Sequence, residues 1–278
     1  MTIKIVTDST ATLPKELIEK YAITVVPLSF SIEGVIFTDG DLTLSEYMDK
    51  MDAAENLPKT SQPPVGVFSE VYHALTADGS TVISVHMSST LSGTVEAARQ
   101  GAMLVPGNVH VVDSGYTDQA LGFQVLEAAE LAEAGKTPEE ILSALAKMRE
   151  NTDLFCGVSS LRNLVKGGRV GRVSGLIGSI LDVRVVLYMK DGALSQFKKG
   201  RGAKTFKKWL DEMADTLTNS GRKIKEIGIT HVEALDFAET MRATLQKFVD
   251  LPIQILETTP IIATHTGRGA FALMFVYE

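Results

Sequence analysis

Hydroxyl side chains gather at three places where the chain changes direction, and the richest is Ser88-Ser89-Thr90-Leu91-Ser92-Gly93-Thr94, with five hydroxyls and one glycine. Thr81 to Met87, just before it, reads as a strand. Val95 to Val105, just after it, carries apolar or small residues at Val95, Ala98, Ala102 and Met103, a helical spacing. A strand, a hydroxyl-rich turn and a helix start together make a neutral cup for an anion, because free backbone N–H groups and the positive end of the helix dipole lie beside the side-chain donors. A helix cap alone needs one hydroxyl. The cup suits carboxylate and phosphate equally. A second pair, Thr60 and Ser61, precedes Gln62-Pro63-Pro64, and proline holds its predecessor in extended geometry. Thr7-Asp8-Ser9-Thr10 follows the first strand, Ile3 to Val6, where open α/β sheets bind ligands or cap helices.

Two more groups could meet an anion. Arg169 follows Gly167-Gly168, and a guanidinium binds carboxylate or phosphate in a two-pronged fashion. His265 lies in Thr264-His265-Thr266-Gly267, read as a turn whose glycines let a ligand approach closely. His86 falls inside a strand, His73 and His110 read as structural, and His231 ends a strand. Arg201 belongs to a basic run with Lys198, Lys199, Lys204, Lys207 and Lys208. In an acidic protein such a run is a solvated face or a docking patch for an acidic partner.

Most catalytic patterns are missing. There is no G-x-S-x-G elbow, no G-x-x-x-x-G-K-[ST] loop and no G-x-G-x-x-G that follows a strand and opens a helix. No acidic cluster has metal spacing. The formal net charge of −7 argues against a nucleic-acid partner. The single cysteine, Cys156, sits in an apolar setting and reads as a small core residue. No apolar run reaches transmembrane length, and the first residues read as a strand with no signal-peptide pattern, so a soluble cytoplasmic protein is expected. No metal and no cofactor are expected.

The elements that must carry these groups divide in two. From the first residue to about 152, strands and helices alternate, which predicts an α/β domain with a parallel sheet in three layers. Within it, helices are expected at Thr43 to Met51, Val65 to Ala77, Leu121 to Ala134 and from Thr137 to about Glu150, and Asn108 to Val112 is expected as a buried strand. Residues 153–278 read as a mixed α+β domain. Its features are a strand at Asp153 to Ser159, an apolar stretch at Leu176 to Ile180, helices at Lys204 to Asn219 and Ala234 to Phe248, and a closing strand at Ala270 to Tyr277. Val183 to Lys190 and Ala193 to Lys198 are joined by Asp191-Gly192, which suits a type I′ hairpin turn.

Taken together, Thr7-Asp8-Ser9-Thr10, Lys59-Thr60-Ser61-Gln62-Pro63, the 88–94 loop, Gly167-Gly168-Arg169-Val170 and Thr264-His265-Thr266-Gly267 resemble the DegV family of bacterial fatty-acid-binding proteins, the carrier subunits of fatty acid kinase. The likeness covers the whole chain. It implies a DegV-like pair of α/β domains with a long-chain fatty acid, such as palmitate or oleate, between them and its tail in an apolar tunnel. It also implies a carboxylate held by Thr60, Ser61, Ser92 and the backbone at Gly93, with His265 and Arg169 nearby. By the same likeness Arg201 faces a fatty acid kinase catalytic subunit, the lipid is lifted from a membrane surface, and the product is an acyl phosphate made by the partner, with no catalytic residue in this chain. One departure is mild and one stands out. Val170 replaces the usual isoleucine, and Arg268 stands where the family has proline after the glycine, which is expected to put a positive charge near the head group. Two enzyme readings compete. One acts on a small phosphorylated metabolite, with His265 as general base and a small wet pocket. The other is an esterase with Ser92 as nucleophile, which needs a histidine in reach and a third group to orient it.

Overall fold

The computed structural model describes residues 2–175, 183–202 and 204–278. In chain order the first half contains β1 (Ile3–Asp8), α1 (Lys15–Lys20), β2 (Thr24–Val26), β3 (Ser29–Ile32), β4 (Val35–Thr38), α2 (Leu44–Ala53), β5 (Lys59–Ser61), α3 (Val65–Thr76), β6 (Thr81–His86), α4 (Thr94–Met103), β7 (Val109–Asp113), α5 (Asp118–Glu133) and α6 (Pro138–Glu150). The second half contains β8 (Thr152–Val158), α7 (Arg162–Lys166), β9 (Val173–Ser174), β10 (Arg184–Lys190), β11 (Ala193–Gly200), α8 (Lys204–Ser220), β12 (Ile224–His231), α9 (Leu235–Leu245), β13 (Gln254–Glu257), α10 (Pro260–Thr266) and β14 (Phe271–Tyr277). The apolar stretch expected at Leu176 to Ile180 lies outside the described residues.

The first half builds a four-stranded parallel sheet in the order β2-β1-β6-β7. β6 is buried along its whole length, its polar Thr81, Ser84 and His86 included, because it lies between two strands and beneath helices. β7 was expected to be buried too. As an edge strand it is only half-buried. A separate antiparallel sheet, β4-β3-β5, carries Thr60 and Ser61 on its outer strand, so these residues stand on a strand and not on a loop. The second half builds a mixed seven-stranded sheet, β13-β12-β14-β8-β10-β11-β9. Its β10–β11 hairpin turns at Asp191 and Gly192, whose φ angles of 46° and 78° are those of a type I′ turn. α2 and α6 each start on a capping box, Thr43 with Glu46 and Thr137 with Glu140.

One apolar cluster joins the sheets. It runs from Ile83 and Val85 of β6 through Leu121 and Val125 of α5 to Leu154, Leu187 and Met274 of the seven-stranded sheet. α5 touches β1 and β6 on one side and β12, β14 and β8 on the other, so nearly all of its first half is buried. That packing also starts the helix at Asp118, three residues before the point its apolar pattern marks.

The ends of β1 and β6 are tied by Asp8, which is fully buried. Its carboxylate accepts from the N–H and hydroxyl of Thr10 at 3.0 and 2.6 Å and from the N–H of Met87 at 2.9 Å. His86 Nδ1 faces it at 3.0 Å and, opposite a carboxylate, is the donor. His86 Nε2 in turn meets Ser84 Oγ at 2.7 Å, and Ser84 Oγ meets the Tyr72 hydroxyl at 2.8 Å. This has the order of a catalytic triad, but Asp8, Ser84 and His86 are all 0 % exposed, so no substrate reaches it. Its work is structural. Burial raises the pKa of Asp8, yet the hydrogen bonds from His86, Thr10 and Met87 outweigh burial and hold it below the usual carboxylate value. Asp8→Ala strands several buried donors and should cost about 3–5 kcal/mol in urea denaturation. Because the folded value is lowered, this stabilisation should be complete above the ordinary carboxyl range and vanish as pH falls below it. A variant less than about 1 kcal/mol below wild type would show that the pair is not the anchor described.

Candidate functional site

A cavity of about 360 Å³ opens between the halves. Its interior is mostly apolar: Leu28, Met87, Leu154, Leu187, Met189, Leu194 and Ile261 line it. Thr60, Ser61, Gln62, Ser92, Gly93, Arg169 and His265 line it too, and contacts among them close a ring. Thr60 Oγ1 lies 3.0 Å from His265 Nε2. The other ring nitrogen of His265 faces Gly167, where any Cβ would collide with it. Arg169 donates through Nη1 to the carbonyl of Gly167 at 2.7 Å and through Nε to the carbonyl of Leu91 at 3.2 Å. Leu91 continues into Ser92 and Gly93, the amide of Gln62 lies against Gly93, and the chain returns through Ser61 to Thr60. All six residues singled out from the sequence for the head group are therefore in one ring.

Several local readings change. His265 is not in a turn: it ends α10, a helix with Pro260 in its first turn and Gly267 at its C-cap with φ of 80°. α10 is locked on both sides. The Tyr47 hydroxyl of α2 meets Thr264 Oγ1 at 2.5 Å, and Asn163 of α7 donates to the Thr264 carbonyl at 3.0 Å. The 88–94 loop spends most of its hydroxyls on itself. Ser88 Oγ accepts from the Thr90 N–H, Ser89 donates to Asp113, and Thr94 is fully buried. Of the loop, Leu91, Ser92 and Gly93 reach the cavity. Ser92 Oγ also accepts from the Thr94 N–H at 3.3 Å and shares a hydrogen bond with Thr94 Oγ1 at 2.9 Å.

Arg268, expected near the head group, does not approach the ring. It turns outward to Asp49 and Asp52 of α2 and to Glu233, whose carboxylates outcompete any site inside. It joins the two halves from outside. Arg201 lies away from the cavity too, around a surface recess with Lys204, Lys207 and Lys208.

The electrostatics of the ring favour an anion. Arg169 is half-buried, and among the described residues no acidic group lies within ion-pair distance of it. Burial first, and then the charge of Arg172, lower its pKa. Burial, and then the charge of Arg169, push His265 down to about 4, so its imidazole is neutral. His265 Nδ1 is buried without a partner, and Ser92 has no histidine among its hydrogen-bond partners. The Ser-His-orienter arrangement of an esterase is not assembled. Among the described residues no cluster of acidic, histidine or cysteine side chains could hold a metal ion, and no helix is long and apolar enough to cross a membrane.

Asp118 and Cys156 are among the wall residues that sequence reasoning did not assign to the site. Asp118 opens α5 with φ of 61° and is fully buried, accepting from Thr230 and Thr258 hydroxyls at 2.7 and 3.1 Å, while burial raises its pKa. Nothing in the pattern marks it beyond the tolerance of aspartate for left-handed backbone. Cys156, beside it, is a wall residue whose thiol burial pushes up to about 12, so it is an inert apolar surface.

The family model described as "Uncharacterised protein, DegV family" matches residues 2–278. The chain belongs to the DegV family. A DegV domain-containing protein of Lactococcus lactis subsp. lactis is 55 % identical over 278 residues, covering 100 % of both chains. Among solved structures, a DegV-family protein from Thermus thermophilus described for its fatty acid binding superposes with a TM-score of 0.91 at 30 % identity, over 100 % of both chains. DegV from Bacillus subtilis, described as a fatty acid binding protein, superposes with a TM-score of 0.90 at 29 % identity, again over 100 % of both chains. The family likeness seen in the sequence motifs therefore holds for the whole DegV fold.

His265 gives this DegV chain a measurable pH response. Between pH 6.5 and about 4 the unfolded chain takes up a proton that the buried imidazole refuses. Stability should therefore fall as pH drops through that window, and His265→Gln should flatten the slope. Urea denaturation at both ends of the window reads the difference. Comparing the two proteins separates His265 from His231, which burial also lowers. Identical slopes would contradict a neutral buried His265.

Proposed function

We propose that this chain binds a long-chain fatty acid such as palmitate or oleate, with its tail in the cavity and its carboxylate in the ring of Thr60, Ser61, Ser92, Gly93, Arg169 and His265. The observation that carries the reading is a polar ring, holding a cation with no acidic partner among the described residues, set on an otherwise mostly apolar cavity. The fatty acid binding described for the Thermus thermophilus and Bacillus subtilis relatives supports it. Burial favours the tail by about 0.8 kcal/mol per methylene, so affinity resides in the tail. The ring supplies orientation. One partly buried cation with neutral donors costs less to desolvate than a buried ion pair.

In this reading the protein is a carrier and not a catalyst. The 1–152 and 153–278 parts act as two domains around the ligand. The carrier takes its lipid from a membrane surface and presents the carboxylate to a separate fatty acid kinase, with the basic recess at Arg201 as the docking patch. Ser61, Gln62 and Gly93 are exposed, which leaves an approach to the head group from outside. The small-metabolite enzyme reading calls for a wet pocket and an oriented base. The apolar walls and the unpartnered Nδ1 of His265 favour neither.

Native mass spectrometry of purified protein tests the reading: a bound fatty acid, exchangeable with added oleate, is the expected result, and protein free of lipid that takes up none would end it. Thr60→Ala and Ser92→Ala should keep acyl affinity within about tenfold, the worth of one hydrogen bond. They should lower kinase-dependent phosphorylation by more than that. Equal losses in both assays would refute the split between tail and head group.

A further inference from the structure

Gln62 lines the cavity beside Ser61 and Gly93, and among the described residues its side chain has no hydrogen-bond partner. It sits between β5 and Pro63-Pro64, so its backbone is held extended by the proline that follows. Its carboxamide makes no hydrogen bond to any described residue. Yet it is not loose over open space: a Cβ added to Gly93 would collide with its Oε1 and lie 3.1 Å from its Cδ and 3.3 Å from its Nε2. The amide therefore lies against Gly93, the residue that starts α4, with Ser92 beside it. Gly93 has an ordinary φ of −78°, so its backbone does not require glycine. A Cβ at this position would displace the amide that rests on it.

Resting on the fatty-acid reading, we propose that Gln62 is a further head-group residue, whose amide closes over the clamp and donates to a carboxylate oxygen, and that residue 93 is glycine to admit it. The chemistry fits the position. A carboxamide offers two N–H donors without charge, so it adds a bond to the anion without raising the cost of the empty state as a second buried cation would. Its exposure leaves it free to swing aside, whereas Thr60, His265 and Arg169 are held by their own contacts.

The test pairs two ligands with the same tail, oleate and oleyl alcohol, measured by displacement of a fluorescent fatty acid from the full-length protein. Gln62→Glu places a carboxylate beside a carboxylate. Oleate affinity should fall about tenfold or more, the effect of about 1.4 kcal/mol of repulsion, while oleyl alcohol should change by less than about threefold. Gln62→Ala should lower oleate affinity by a smaller factor, again sparing the alcohol. Gly93→Ala should mimic Gln62→Ala, and adding it to Gln62→Ala should cost nothing further, because the displaced amide is already gone. An unchanged oleate-to-alcohol ratio in Gln62→Glu, or additive losses in the double variant, would overturn the assignment. Wild-type protein binding neither ligand would instead defeat the fatty-acid reading itself.

Discussion

The site stands on a buried carboxylate that no ligand touches. Asp8 gathers donors from Thr10, His86 and Met87 at the ends of two adjacent parallel strands. Buried polar groups must be paired, and a buried charge more so. That requirement fixes where β6 ends and therefore where the 88–94 loop leaves the sheet. From there the loop's own hydroxyl bonds, and the pairing of Ser89 with Asp113, set Ser92 and Gly93 at the cavity. α10 is fixed from another side by Tyr47 and Asn163. The ring is thus assembled from elements far apart in the chain, each held by bonds outside the ring.

In the proposed reading, the division between a polar ring of hydroxyls around one cation and an apolar interior follows from desolvation. A tail of methylenes gains steadily from burial. A head group gains little from burial and loses heavily if its partners are absent. Arg169 donates to two backbone carbonyls, at Leu91 and Gly167, and to no carboxylate among the described residues, so these bonds position its charge without cancelling it. The neutral state of His265 complements it, since a second cation packed against Arg169 would be costly.

Much of this was legible in the sequence. The alternating first half, the Asp191-Gly192 hairpin and the co-lining of Thr60, Ser61, Ser92, Gly93, Arg169 and His265 follow from residue types, spacing and family likeness. What escaped has physical causes. The run from Ile261 to Thr266 is rich in β-branched residues and resembles a strand or turn, yet tertiary contacts from α2 and α7 make it a helix. Five hydroxyls in one loop suggested five donors, but local side-chain-to-backbone bonds compete for them. The charge of Arg268 was visible, but its direction was decided by Asp49, Asp52 and Glu233, which only the fold brings together. Gln62 stood inside a recognised motif, yet the reason for Gly93 beneath it needs coordinates.

The central claim is that a carboxylate occupies this ring, and NMR of the protein loaded with oleate carrying carbon-13 at its carboxyl tests it most directly. The account predicts a single carboxyl resonance that stays ionised to well below the ordinary carboxyl range of about 4, because the Arg169 guanidinium and neutral donors stabilise the anion. In Arg169→Gln that titration should move upward. A resonance that titrates like free fatty acid in the wild-type protein, unaltered by Arg169→Gln, would contradict the account.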